Sequence, residues 1–137
     1  MIMGTHVTRT ELRVRYHECD QQGVVFNAHY LAYADMACFD LTNRLYGHYD
    51  KLKESGYDWM VAESNLKFLG ACRFDDALAV DAFVQHVGNT SFTLRFDISR
   101  EGTKTTEITT RYVWVDSAQF TKVQPPAELR DALTAHL

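Results

Sequence analysis

Between Ser91 and Arg100 the chain alternates without a break. Phe92, Leu94, Phe96 and Ile98 are separated by Ser91, Thr93, Arg95, Asp97 and Ser99. A period of two predicts a strand with one buried and one solvated face. The links on either side are Gly-Asn-Thr at 88–90 and Arg-Glu-Gly-Thr at 100–103. Links this short make hairpins, because a parallel crossover needs a dozen residues or more. Neighbouring runs at 77–87 and 104–116 are therefore antiparallel partners of 91–100. A further run at 59–69 reads as another strand.

Residues 9–18 also alternate, with Leu12, Val14 and Tyr16 on one face and Arg13, Arg15 and His17 on the other. This predicts a first strand, broken near Gly23. From Tyr30 the period changes. Tyr30, Ala34, Ala37, Cys38, Leu41 and Leu45 recur every three or four residues, the stripe of an amphipathic helix. Asn27 is a suitable N-cap and Gly47 a suitable stop. Met36 and Phe39 fall on the opposite side, so the helix is expected to be enclosed on two sides. Asp50–Gly56 predicts a short polar helix and Pro125–Leu137 a terminal one. The expected fold is α+β, an antiparallel sheet with one long helix. Phe83, Tyr112 and Trp114 call for more cover than one helix supplies, so a homodimer or homotetramer is expected.

The 137 residues suit one domain, spanning 1–137. No run of about 18 apolar residues exists to span a membrane. The N-terminus lacks a charged head followed by an apolar run, which favours the cytoplasm. With a net charge of −4 the chain lacks the basic surface of a nucleic-acid binder. Cys19, Cys38 and Cys72 are odd in number and widely spaced, so no disulfide framework is expected. His17 and Cys19 are close, but a metal site wants three or four convergent ligands, and none is expected.

The stretch Val14–Tyr30, VRYHECDQQGVVFNAHY, resembles the signature of the 4-hydroxybenzoyl-CoA thioesterase group of hotdog-fold acyl-CoA thioesterases. The order of elements is similar too, and RFDDALAV at 73–80 looks like that group's entry to its third strand. Three positions depart from the pattern. Glu18 stands where the first acid of Asp-x-Asp is usual, Asn27 where a histidine is frequent, and Ala71 where a proline is common. The resemblance implies a hotdog fold, with the sheet wrapped around the central helix. It also implies an acyl-CoA substrate, no metal or cofactor, a site at a dimer interface, and Asp20 as the catalytic carboxylate.

The residues allow that chemistry. Asp20 can attack the carbonyl or activate water. Unpaired N–H groups at the helix start, around Asn27–His29, can polarise the thioester oxygen. Gly23 permits the close turn between them. Read without the resemblance, Asp20 is an Asx-turn residue and Asn27 a cap. Glu63 and Ser64 are candidates to orient water from a second chain, and alternation allows only one of them to face the core. Coenzyme A carries phosphates, for which Asn89, Thr90 and Ser91 in the 88–91 turn are the preferred ligands. Arg73 is a further candidate, with Lys67, Arg95 and Arg111 behind it. Phe26, Tyr30, Tyr33, Phe39 and Trp59 either line an acyl tunnel or fill core. An acyl-carrier thioester is an alternative substrate. Two rival functions remain: a hotdog enoyl-thioester hydratase/dehydratase using His29, and a non-catalytic acyl-CoA binding protein.

Overall fold

The computed structural model describes residues 5–137. Five strands form one antiparallel sheet: β1 (Thr8–Arg13), β2 (Tyr57–Phe68), β3 (Ala77–Val87), β4 (Ser91–Arg100) and β5 (Thr103–Asp116). The order across the sheet is β1-β3-β4-β5-β2. Between β1 and β2 the chain forms α1 (Asn27–Tyr46) and α2 (Tyr49–Glu54), and it ends in α3 (Ala127–Thr134). The four later strands lie where the alternation puts them, with small changes at the ends.

One face of the sheet is apolar. Leu78, Val80 and Ala82 of β3, Phe92, Leu94, Phe96 and Ile98 of β4, and Ile108, Tyr112 and Trp114 of β5 are all buried. Against them α1 buries Tyr30, Tyr33, Ala34, Ala37, Cys38 and Leu41. The small side chains at 34 and 37 let the helix axis approach the sheet closely. The other face is a charged lattice. Arg9 pairs with Asp81 at 2.7 Å, Lys104 with Asp97 at 3.1 Å and Arg111 with Glu63 at 3.4 Å.

Four sequence expectations need correction. The first strand ends at Arg13 rather than at 18, and Tyr16–Glu18 forms a 3-10 turn. The Glu18 carboxylate accepts the Arg15 N–H at 2.7 Å and closes that turn, which alternation does not register. The N-cap of α1 is Phe26 and not Asn27, with no side chain capping it. The Phe26 N–H is taken by the Glu18 carbonyl at 2.9 Å, so a backbone bond in the loop sets the helix start. The cap of α2 is His48, whose Nδ1 accepts the Asp50 N–H at 3.1 Å. Tyr112 and Trp114 are covered within the chain, being 3% and 0% exposed. Phe83 lies on the charged face, with the Arg95 guanidinium 4.1 Å above its ring. None of the three therefore demands a second subunit. Met36 and Phe39 do stand exposed on the far side of α1.

Candidate active site

Asp20 sits at the tip of a small hairpin that leads into α1. Its N–H bonds the Val24 carbonyl at 2.8 Å, and the Gly23 N–H bonds the Asp20 carbonyl at 3.0 Å. Gly23 has φ +82°, a conformation that L side chains rarely adopt. Asp20 Oδ1 accepts the Gln22 N–H at 2.8 Å, which is an Asx turn. Its other oxygen, Oδ2, makes no hydrogen bond among the described residues. Cys19 and Val25 pair across the hairpin, and the Val25 N–H donates to the Cys72 carbonyl at 2.8 Å. The carboxylate is thus carried by a bonded loop that leads directly into α1.

At that start, the N–H groups of Asn27 and Ala28 have no acceptor among the described residues, while the His29 N–H bonds back to Phe26. Unpaired N–H groups and the helix dipole make this end electropositive. Beside it lies a cavity of about 280 Å³ lined by Val24, Asn27, Tyr30, Phe68, Leu69 and Gly70. Its walls are mostly apolar, with the helix start at one edge. This suits an acyl chain whose carbonyl reaches the N–H groups.

Glu18 ties the loop to the helix. Its Oε1 accepts the hydroxyl of Tyr33 at 2.9 Å as well as the Arg15 N–H. Tyr33 is 1% exposed. Burial, with the Glu18 carboxylate next in effect, pushes its phenol well above the ordinary tyrosine range. Tyr33→Phe should therefore cost about 1.5–3 kcal/mol, the usual contribution of a hydrogen bond to a charged acceptor. Urea unfolding of both proteins at one concentration checks this, and unchanged stability would mean that the bond contributes nothing net. The sequence marks Tyr33 only as an aromatic near the loop. A phenol three residues past a buried Tyr30, facing an acid on the preceding loop, is the signal that was there to read.

The other candidates are scattered. In β2 the register shifts between Val61 and Glu63. This bulge turns Glu63 outward to Arg111 and Ser64 inward, where its hydroxyl lies 2.9 Å from that of Thr110. Glu63 is therefore on the opposite face of the sheet from α1. Asn89, Thr90 and Ser91 join β3 to β4 at one end of the sheet. The Asp20 loop pairs with residues 72 and 73, at the other end. The eleven residues of β3 lie between, about 35 Å at 3.3 Å per residue. One chain does not bring that turn to Asp20. Arg73 is close, since its backbone pairs with Val24. Lys67 and Arg111 are occupied on the charged face by Glu107 and Glu63, and Arg95 by Asp97 and Phe83. Trp59 packs on Trp114 and Phe92, with ring centroids 5.1 and 4.9 Å away, far from the loop.

Two of the three cysteines are withdrawn from solvent. Burial pushes the Cys38 thiol up to about 11, Cys72 is buried, and Cys19 is half-buried with its Sγ toward the Arg15 carbonyl. His29 stacks edgewise on His17 and Phe26 and pairs with no acid among the described residues. No three His, Cys, Asp or Glu side chains converge among the described residues. No described helix is long and apolar enough to cross a membrane.

The family model described as the thioesterase superfamily matches residues 22–107, from the turn after Asp20 to the first part of β5. The chain belongs to the thioesterase superfamily. It is 24% identical over 132 residues to the putative acyl-CoA thioesterase YneP of Bacillus subtilis, covering 96% of each chain. It is 27% identical over 116 residues to the acyl-CoA thioester hydrolase YbgC of Escherichia coli, covering 83% of this chain and 86% of that one. Among solved structures, a thioesterase from Thermus thermophilus complexed with coenzyme A and Zn superposes with a TM-score of 0.83. It is 22% identical, with 97% of this chain and 96% of that one covered. The antiparallel sheet packed on one long helix is thus the hotdog fold, as the resemblance of Val14–Tyr30 implies. Membership makes the chain a thioester hydrolase.

Proposed function

We propose that this thioesterase hydrolyses an acyl-CoA thioester to the free acid and coenzyme A, with Asp20 as the catalytic carboxylate. The observation that supports the reading is the bonded hairpin that carries Asp20, with one carboxylate oxygen unbonded among the described residues, on the loop leading into the unpaired N–H groups of Asn27 and Ala28. The thioester oxygen sits on those donors, so charge developing on it is stabilised without a charged side chain. Two routes lead from there. In one, an Asp20 oxygen bonds to the carbonyl carbon, the C–S bond breaks, the thiolate leaves, and water cleaves the resulting anhydride. In the other, Asp20 takes a proton from water as its oxygen adds to the carbonyl, and the collapsing intermediate expels the thiolate, which is then protonated. YneP and YbgC, whose names specify acyl-CoA thioesters, support coenzyme A as the carrier.

The functional unit in this reading is a dimer joined along β2. That strand has a free edge and leaves Met60, Val61 and Phe68 about half exposed, and such an edge favours pairing with another strand. Two β2 edges paired antiparallel would bring the 88–91 turn of one chain to the Asp20 end of the other. Asn89, Thr90 and Ser91 then become coenzyme A ligands across the interface, Arg73 a ligand from the same chain as Asp20, and Ser64 a residue near the two-fold axis. Light scattering should give two or four times the 15.7 kDa chain mass. A mass near one chain would remove this arrangement.

Mass spectrometry of the products from saturated and enoyl acyl-CoAs tests the reaction. Hydrolysis yields acid and free coenzyme A. An acyl-CoA heavier by one water would instead indicate a hydratase, and binding without any product a sensor.

A further inference from the structure

Beside the Asp20 hairpin is a surface patch that the hydrolysis itself does not use. Tyr16 is 81% exposed and Phe74 is 55% exposed, although both are large aromatics. Their rings meet edge to face, with centroids 5.8 Å apart. Two backbone bonds fix the pair in place, from the Val14 N–H to the Asp76 carbonyl and from the Asp75 N–H to the Val14 carbonyl, each 3.0 Å. The rings therefore stand on hydrogen-bonded backbone and are open to solvent.

The charged groups around them differ in how far they are engaged. The three acids nearest the rings in the chain are all engaged. Asp75 pairs with Arg13 at 3.4 Å and Asp76 with Arg100 at 3.2 Å, while Glu18 holds the Arg15 N–H and the Tyr33 hydroxyl. The guanidinium groups of Arg15 and Arg73, which flank Tyr16 and Phe74 in the chain, make no ion pair or hydrogen bond among the described residues. Two guanidiniums without a partner among the described residues, each next in the chain to one of the two rings, are available to an anion.

Exposed aromatic rings, each next in the chain to an unpaired arginine, match one chemistry: a purine base, which stacks on an aromatic ring, carrying phosphate groups, which guanidinium binds in bidentate fashion. Asp20 is four residues on from Tyr16, at most about 14 Å of extended chain. A ligand on the patch can thus keep its far end at the carboxylate. We propose that Tyr16, Phe74, Arg15 and Arg73 bind the 3′-phosphoadenosine end of coenzyme A, in the same chain as the Asp20 that cleaves its thioester. This rests on the acyl-CoA reading above and deepens it, because it distinguishes a free coenzyme A substrate from a carrier-protein thioester, which has no nucleotide.

The test has a kinetic arm and a binding arm. In the first, KM is measured for an acyl-CoA and for the matching acyl-pantetheine, with wild type, Arg15→Gln/Arg73→Gln and Tyr16→Ala/Phe74→Ala. The expected result is that each double variant raises KM about tenfold more for acyl-CoA than for acyl-pantetheine. Equal changes for both substrates, or a wild type that does not distinguish them, overturn the proposal. The second arm is calorimetric binding of adenosine 3′,5′-bisphosphate, which needs no turnover. Wild type should bind it, and both double variants should bind it about tenfold more weakly. No binding to wild type overturns the patch assignment even if thioesters are cleaved. Binding without any thioester cleavage would instead uphold the patch and count against hydrolysis. Circular dichroism confirms that the variants, changed only at exposed side chains, are folded.

Discussion

Replacing Asp20 by Asn should lower kcat for thioester cleavage by about 10²–10⁴-fold, the range of a lost general base. KM and the unfolding midpoint should stay near those of the wild type. Asparagine keeps the size of the side chain and an oxygen that can accept the Gln22 N–H, so the hairpin that carries residue 20 survives. What disappears is the negative charge, on which both attack at carbon and proton abstraction from water depend. Asp20→Ala serves as a contrast, since it removes the Asx-turn bond as well and should also lower stability, by about 1 kcal/mol. An Asn variant with wild-type kcat would reduce Asp20 to a turn residue.

The second large effect concerns stability. Trp114→Ala should cost about 3–5 kcal/mol, measured by urea unfolding at fixed protein concentration. Trp114 is fully buried, with Trp59, Phe92 and Tyr46 rings at 5.1, 5.7 and 6.5 Å. Removing its indole leaves a void enclosed by three aromatic side chains on β2, β4 and α1, which cannot all collapse inward. Trp114→Phe is the informative companion. The indole Nε1 is buried with no hydrogen-bond partner among the described residues, so replacing it by a hydrocarbon ring sacrifices no bond. That variant should lose no more than about 1.5 kcal/mol. A loss as large as that of the alanine variant would mean that the indole N–H does have a partner.

The two sites differ in how far they can be read from residue order. The hydrophobic cluster is almost wholly legible, because β3, β4 and β5 are antiparallel neighbours and each alternates. A period of two then dictates which side chains turn inward, Trp114 among them. The α1 stripe is legible for the same reason, with a period of 3.6. The site is less so, because its geometry depends on backbone bonds and on interruptions of period. The end of β1 and the start of α1 are both set by Glu18, through its carboxylate on the Arg15 N–H and its carbonyl on the Phe26 N–H. No periodic pattern reports either bond. The bulge in β2 shifts the alternation by one residue, so Ser64 faces the helix and Glu63 does not. Position in the chain likewise hides that the 88–91 turn is at the far end of the sheet from Asp20. Tyr16 illustrates the reverse case. Alternation places it with Leu12 and Val14 on a buried face, but the chain has already left the sheet there and presents the ring to solvent.

The most direct test of the account is free-thiol release from a panel of acyl-CoAs, with wild type and Asp20→Asn assayed side by side at equal concentration. The account predicts release from at least one member of the panel by wild type, and loss of most of that rate in the variant. No release from any acyl-CoA, or equal release by the two proteins, would contradict it.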